Sequence, residues 1–531
     1  MKQRKYFDCY AAVGPCSAPE KEFPHDIDSL YGDMAYARIH GAAFIHNAAK
    51  DVSFSLGNEE AIRLEKENSR LFSLAVVASS ADYETGNKNY FYDLLDRGVR
   101  GFVTLNQSPF KGTLEPESMR KIVIPLLEHN KPLIVSGVNS EELYTKIDKL
   151  AYEYPNLPII MQGTRWNTNR FFLEVMEKHD NLHYEIAQNH TNNIIEFTKK
   201  NFGIERVLYS SEWPLRSMGA IKSTVEYADI TESEKNLVAH GNACRLFGVS
   251  PDELELYDEK DCQLDEIAKD ADSGKPIHVP VIDAHSHIVG RDYGINNCIM
   301  LDADPASIVE KMDRLGVETT ISAPWIGIAY DGIMGNEESI AAYNSHGGRI
   351  KAFSCCNVNY KEDLESVTKY HDKYPDIFVG IKPYPPYYKF SLTDEICREW
   401  FEYANEHNLI ALIHADASVF SEETDILSER YPNVTFILAH SGTSYNIARK
   451  NAAVAKKHSN VVLDITYTTT GRGMVEFLVG EVGADKIIYG SDMPMRDASP
   501  QLGWICYAKI PVEDKKKILA ENIKYIMEKR R

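Results

Sequence analysis

VIDAHSHIVG, residues 281–290, sets Asp283, His285 and His287 at every second position of an otherwise apolar run. Side chains two apart in a β-strand share a face, so the carboxylate and both imidazoles point the same way. A similar run, YFDCYAAVG at residues 6–14, carries Asp8 but no histidine. The chain therefore opens with one version of this strand and repeats it, with histidines, just past its middle.

Outward from residue 281, short apolar runs alternate with amphipathic stretches long enough for helices, the pattern of parallel strands joined by helical crossovers. The runs are VIDAHSH (281–287), ETTISAPW (318–325), IKAFSCC (350–356), VGIKPY (379–384), LIALIHA (409–415), TFILAHSG (435–442), VVLDITY (461–467) and IIYGSDMP (487–494). Eight strands in that alternation predict a (β/α)8 barrel. The first half repeats them in order as YFDCYAAVG, GAAFIHN, LFSLAVVAS, VRGFVTLN, KPLIVSGV, LPIIMQG, LHYEIAQ and VLYSSEWP. Asp8 pairs with Asp283, Gly101 with Gly380, the YPN at 154 with that at 431, and Tyr209 with Tyr489, at offsets of about 275 to 280 residues. A period that long marks a duplicated domain, because solenoid repeats run about 20 to 50 residues. The expected fold is α/β, two tandem (β/α)8 TIM-like barrels. Residues 1–249 form the first and 279–531 the second, with an acidic linker at 250–278.

Bulk composition agrees. At 531 residues the chain exceeds one ordinary domain, and barrels of about 250 residues divide it in two. Apolar content of 44% with 26% charged residues is that of a globular protein. The net charge of −20 works against phosphate backbones and anionic membrane surfaces, so nucleic acid and membrane are not expected partners. The N-terminal MKQRKYFDCY has no apolar h-region, and no run approaches a membrane span. Nine cysteines without a Cys-x-x-Cys pair suit free thiols in a reducing compartment, and the expected location is cytoplasmic.

The duplication separates scaffold from chemistry. Asp283, Ser491, Pro494 and Arg496 recur as Asp8, Ser211, Pro214 and Arg216, and read as architecture. His285 and His287 instead face Tyr10 and Ala12, Lys382 faces Val103, His414 faces Ser136, His440 faces Gly163 or its neighbour Gln162, and Asp492 faces Glu212. These differing residues stand at strand C-termini, where barrels of this kind carry their chemistry. His285 and His287 can share one metal ion, and a histidine from strand five with an aspartate from strand eight completes a three-nitrogen, one-oxygen shell. Such a shell suits one divalent cation, Zn²⁺ first, with Mn²⁺ or Fe²⁺ as alternatives.

Asp-x-His-x-His on strand one, GIKPYP at 380–385, the histidine of LIHAD, the histidine of LAHSG and the aspartate of YGSDMP resemble the landmarks of the amidohydrolase superfamily. They are most similar to its amidohydrolase-related branch, which includes aminocarboxymuconate semialdehyde decarboxylase, resorcylate-type decarboxylases and pyrone dicarboxylate lactonase. The likeness runs in full order over about 279 to 529, and the first half is similar in framework only. The resemblance implies a mononuclear metal held by His285, His287, His414 and Asp492. His440 stands behind them to meet water or a substrate oxygen, and Asp492 passes protons. Zn²⁺ would bring the pKa of a water it binds to about 7.

Lys382 has three readings: carbamylated and bridging a second metal, pairing with an anionic substrate, or neutralising a carboxylate. Trp325, Tyr384, Tyr387 and Tyr388 lie at or just after strand ends, where they could wall a substrate pocket or cap the barrel. Arg496 resembles a substrate-carboxylate clamp, but its twin Arg216 favours structural pairing, and Asp464 with its acidic twin Glu185 reads as structural. His46, His190 and Glu212 of the first copy are read as incidental, and His346, His371, His407 and His458 as solvated.

The leading function is metal-dependent hydrolysis of an amide, ester or lactone of a small-molecule substrate. Metal-dependent non-oxidative decarboxylation of a small aromatic or unsaturated acid is the alternative, and a non-catalytic metal-binding protein the third. The first barrel is expected to be a degenerate copy that pairs with the second within the chain, and a homo-oligomer is compatible with the sequence.

Overall fold

The computed structural model describes residues 3–17, 20–106, 112–258, 262–290 and 298–529. They form two compact units that divide between Leu264 and Asp265, with a short stretch at 298–299 grouped with the first.

In the second unit, strands β10 (Ile282–Ser286), β11 (Thr319–Ser322), β12 (Ile350–Ser354), β13 (Phe378–Ile381), β14 (Ile410–His414), β15 (Thr435–Ala439), β16 (Val461–Asp464) and β17 (Ile487–Ile488) form one eight-stranded sheet in chain order. Each neighbouring pair is parallel. The sheet closes where the chain beyond β17 meets β10: Ala284 N–H donates to Tyr489 O at 2.9 Å and Asp492 N–H to His285 O at 2.7 Å. Closure therefore sets Asp492 beside the two histidines. Helices cover the outside, begun and ended by their own sequence. Pro305–Leu315 starts at Asp304, whose carboxylate accepts from Ala306 and Ser307 N–H, and stops at Gly316, left-handed at φ 83°. A Cβ on Gly316 would lie 2.7 Å from Ile277 O, so glycine serves both backbone and packing there.

The first unit has the same plan. Strands β1 (Phe7–Val13), β2 (Gly41–His46) and β3 (Leu71–Ser73) form one sheet, and β4 (Ala75–Val76), β5 (Phe102–Leu105), β6 (Leu133–Ser136), β7 (Ile159–Gln162), β8 (Leu182–Glu185) and β9 (Val207–Leu208) another. β3 and β4 are one strand that changes partner across Leu74, whose N–H goes back to Phe44 O while Ala75 N–H goes forward to Gly101 O. Cys9 N–H to Tyr209 O at 3.1 Å and Ala12 N–H to Trp213 O at 2.8 Å close the ring. Alternate residues fill its centre, among them Phe7, Cys9, Ala43, Ile45, Phe72, Leu74, Val103, Ile134, Ile160 and Leu208.

The acidic stretch 250–278 is apportioned between the units, because its apolar side chains find cores. Leu254 joins the first unit's core and Cys262 donates to Ala35 O. The helix Glu266–Asp272 in the second unit buries Ile267, Ala268 and Ala271. Among the described residues, no helix is long and apolar enough to cross a membrane.

Candidate metal centre

β10 delivers His285 and His287 to the mouth of the second barrel, and each ring is oriented by its Nδ1. His287 Nδ1 donates to Ala323 O at 2.8 Å, which turns Nε2 to within 2.8 Å of Asp492 Oδ1. His285 Nδ1 donates to Asp464 Oδ2 at 2.7 Å, and its Nε2 lies 3.4 Å from the same Asp492 oxygen while making no hydrogen bond among the described residues. Asp492 follows β17 in a left-handed conformation at φ 58°, and its Oδ2 pairs with the Arg496 guanidinium. Arg496 is itself placed by Thr468 Oγ1, at 2.9 Å, and by the Tyr467 ring 4.4 Å below it.

Donor atoms of His285, His287 and Asp492 all fall within 4.8 Å of one another, in side chains that are buried. Burial, followed by the charge of Lys382, holds His285 well below the usual histidine range and His287 down at about 3. Both imidazoles are therefore neutral near pH 7, the form that binds metal. Two neutral nitrogens and a carboxylate converging on one place, with an orphaned buried Nε2 among them, fit a divalent cation.

Around this trio stand the other expected residues. His440 ends β15 at φ 64° and gives Nδ1 to Thr466 O at 3.1 Å, its ring 5.0 Å from that of His285 and 4.7 Å from that of His414. His414 ends β14 outside the tight trio, with Nε2 3.2 Å from Asp416 Oδ1. Lys382 is 1% exposed, its Nζ makes no hydrogen bond among the described residues, and burial draws its amine down to about 7. Trp325 stands edge-on to His287 at 5.4 Å, and Tyr387 bridges from Trp325 to Tyr384, which it stacks upon at 5.5 Å. Tyr388 instead donates its hydroxyl to Gly327 O, which ties the loop after β13 to that after β11.

At the same places the first barrel carries a self-contained polar network. Glu212, left-handed like Asp492 at φ 52°, accepts from Gln162 and from Gln188 Nε2 at 2.7 Å. Ser136 donates to Gln162 Oε1 at 2.6 Å, and Arg165 to Gln188 Oε1 at 2.8 Å. Gly163 occupies the left-handed position of His440 at φ 85°.

The family model described as Amidohydrolase matches residues 96–249 and 377–524, more than half of the chain and part of both barrels. The chain belongs to the amidohydrolase family. No curated protein matches it. Solved structures similar to the chain each cover about half of it. A putative amidohydrolase from Staphylococcus aureus is 15% identical and covers 47% of this chain and 99% of its own, at a TM-score of 0.38. 4-Oxalomesaconate hydratase from Rhodopseudomonas palustris is 18% identical, with 47% and 96% covered and a TM-score of 0.38. 2,6-Dihydroxybenzoate decarboxylase from Rhizobium is 16% identical, with 47% and 99% covered and a TM-score of 0.36.

Several residues of the chain differ from the sequence expectation. Asp464 is more than structural, since it orients His285 while accepting Thr466 N–H at 3.0 Å. Asp416, two residues beyond His414, was not singled out, although its first-copy counterpart is the apolar Val138. His371, expected in solvent, is buried with Nε2 3.0 Å from Ser354 Oγ, because its helix face packs on the barrel at Phe378. In the first barrel, His46 Nδ1 accepts from Ala48 N–H and His190 Nε2 bonds Ala187 O, so each serves its own loop.

Proposed function

We propose that the second barrel is a metal-dependent hydrolase acting on an amide, ester or lactone bond of a small molecule. The observation that carries this reading is the unsatisfied Nε2 of His285 facing Asp492 beside His287 Nε2, all three buried at the C-terminal mouth of the strands. His285, His287 and Asp492 would hold the cation, with His414 completing the set, and Zn²⁺ suits these donors, with Mn²⁺ or Fe²⁺ next. A divalent cation bound there supplies Lewis-acid polarisation of oxygen and a nucleophile at neutral pH.

The chain's own groups supply the rest. Arg496 holds Asp492 Oδ2 and leaves Oδ1 toward the histidines, where it can take a proton and return it to a leaving group. His440, tied through Nδ1–H and kept neutral by burial, leaves Nε2 as an acceptor for a proton of a substrate or of water. Trp325, Tyr384 and Tyr387 form an aromatic wall that excludes water beside these groups, and the buried Lys382 adds positive charge for an anionic substrate. The first barrel, with Tyr10 and Ala12 in place of the histidines and Glu212 bonded by Gln162 and Gln188, acts as a metal-free copy.

The grip of Arg496 on Asp492 favours one second reading, non-oxidative decarboxylation, which needs a fixed metal ligand more than a mobile base. Elemental analysis of the metal-repleted chain and of a His285→Ala, His287→Ala variant is the first test, with about one metal per chain expected, lost in the variant. Turnover of small amides, esters and lactones to acid without CO₂ then supports hydrolysis. CO₂ release from small carboxylic acids replaces it with decarboxylation. Metal binding without either turnover, or no metal after repletion, overturns both.

A further inference from the structure

The four histidines at the mouth share one rule and differ in one detail. His285, His287 and His440 are each anchored through Nδ1 to an oxygen, of Asp464, Ala323 and Thr466 respectively, and turn Nε2 to the centre. His414 reverses this. Its Nε2 is the nitrogen beside an oxygen, Asp416 Oδ1 at 3.2 Å, and its Nδ1 makes no hydrogen bond among the described residues. The ring is held on three sides, 5.3 Å from Tyr384, 6.0 Å from Phe420 and 4.7 Å from His440. It can therefore turn about its side-chain axis only against packed neighbours. Asp416 lies two residues beyond His414 on the turn leaving β14, and the same strand in the first barrel has Ser136 and Val138 at these positions. Histidine and acid are thus present together in one copy and absent together in the other.

We propose that Asp416 is the positioning residue of His414, fixing its Nε2–H so that Nδ1 is the nitrogen offered to the metal. The assignment rests on the metal-site reading above and adds a residue and an atom to it. A neutral imidazole carries one N–H, so a carboxylate that holds that proton on Nε2 leaves the Nδ1 lone pair open for a ligand bond. Asp416 would do for His414 what Asp464 does for His285, from a half-buried loop in place of a strand.

The test is the dissociation constant of Zn²⁺ from the full chain, by competition with a chromophoric chelator, for the native protein, Asp416→Ala, Asp416→Asn and the His285→Ala, His287→Ala variant. Asp416→Ala is expected to bind Zn²⁺ about 10- to 100-fold more weakly, the usual effect of removing the partner of a ligating histidine. Asp416→Asn retains an acceptor oxygen and should recover most of that loss, which a merely structural role would not produce. The thermal midpoint of the metal-free Asp416→Ala protein should match the native one, and Asp416→Ser gives the same readout if alanine is poorly recovered. Native affinity in Asp416→Ala, or equal losses in the Ala and Asn variants, overturns the proposal with the metal site intact. Retention of Zn²⁺ by the double-histidine variant overturns the site itself, and the proposal with it.

Discussion

Gly490 shows how one residue admits the chemistry of the second barrel. A Cβ there would lie 2.7 Å from His285 Cβ and 2.9 Å from Asp464 Oδ1, so a side chain would push apart the pair that orients the histidine. Its counterpart Ser210 does carry a side chain, whose Oγ donates to Tyr10 O at 3.2 Å. Gly490→Ser should weaken Zn²⁺ binding about 10- to 100-fold through displaced His285 and also lower the metal-free thermal midpoint, because the added side chain overpacks a buried pair; native affinity in chelator competition would refute the argument. His440 gives the converse case, holding at φ 64° a left-handed place that the first copy fills with Gly163. A histidine kept where glycine fits more easily is a backbone sign of function that agrees with its place at the mouth. Of the residues that break the internal repeat, His285, His287 and Asp492 could be picked out from sequence as a group that the fold brings together. Asp464 could not, because its twin Glu185 does the same backbone work, accepting Ala187 N–H at 2.6 Å as Asp464 accepts Thr466 N–H, and that shared task conceals the added bond to His285.

At the scale of elements, the two copies reuse the same joints. The helix after the second strand contains GNEEAI at 57–62 and GNEESI at 335–340, the same motif 278 residues apart. Its asparagine clamps the end of the third strand in both: Asn58 bonds Val76 N–H and O, each at 2.9 Å, and Asn336 bonds Cys355 N–H at 2.9 Å and O at 3.0 Å. Asn336 is fully buried, so its removal strands two backbone groups away from water. Asn336→Ala should destabilise the second unit by about 2 to 4 kcal/mol, read as a lower urea midpoint, and an unchanged midpoint would show that water replaces the amide. Strand positions were legible because apolar runs at a parallel sheet's centre tolerate few substitutes. The break between β3 and β4 was not, because a change of hydrogen-bonding partner at Leu74 leaves the run LFSLAVVAS continuous. Nor was the sharing out of 250–278, since its acidic composition outweighed the few apolar residues that settle it.

Across the whole molecule, a chain of net charge −20 keeps several of its histidines out of water, and this gives stability a direction in pH. His40 is the clearest case outside the metal centre. It is fully buried, its Nδ1 accepts Tyr6 N–H at 3.1 Å and its Nε2 makes no hydrogen bond among the described residues. Burial, reinforced by Lys222, Arg70, Lys5 and His240, draws it from 6.5 down to about 3. The folded ring therefore stays neutral while the unfolded one takes a proton below about pH 6.5. The unfolded state then binds more protons, and folding stability falls as pH drops from about 6.5 toward 3 and levels off above that window. At pH 5 the 1.5-unit gap from the unfolded value amounts to about 2 kcal/mol. Replacing His40 with glutamine keeps an acceptor for Tyr6 N–H and removes the titration. His40→Gln should then lose less of its urea midpoint than the native chain between pH 7 and pH 5, whatever its stability at pH 7. Equal losses would mean that the histidine opens to water before the barrel unfolds, and that the first barrel's acid sensitivity lies elsewhere, with His183, also buried and held at about 3, the next to replace.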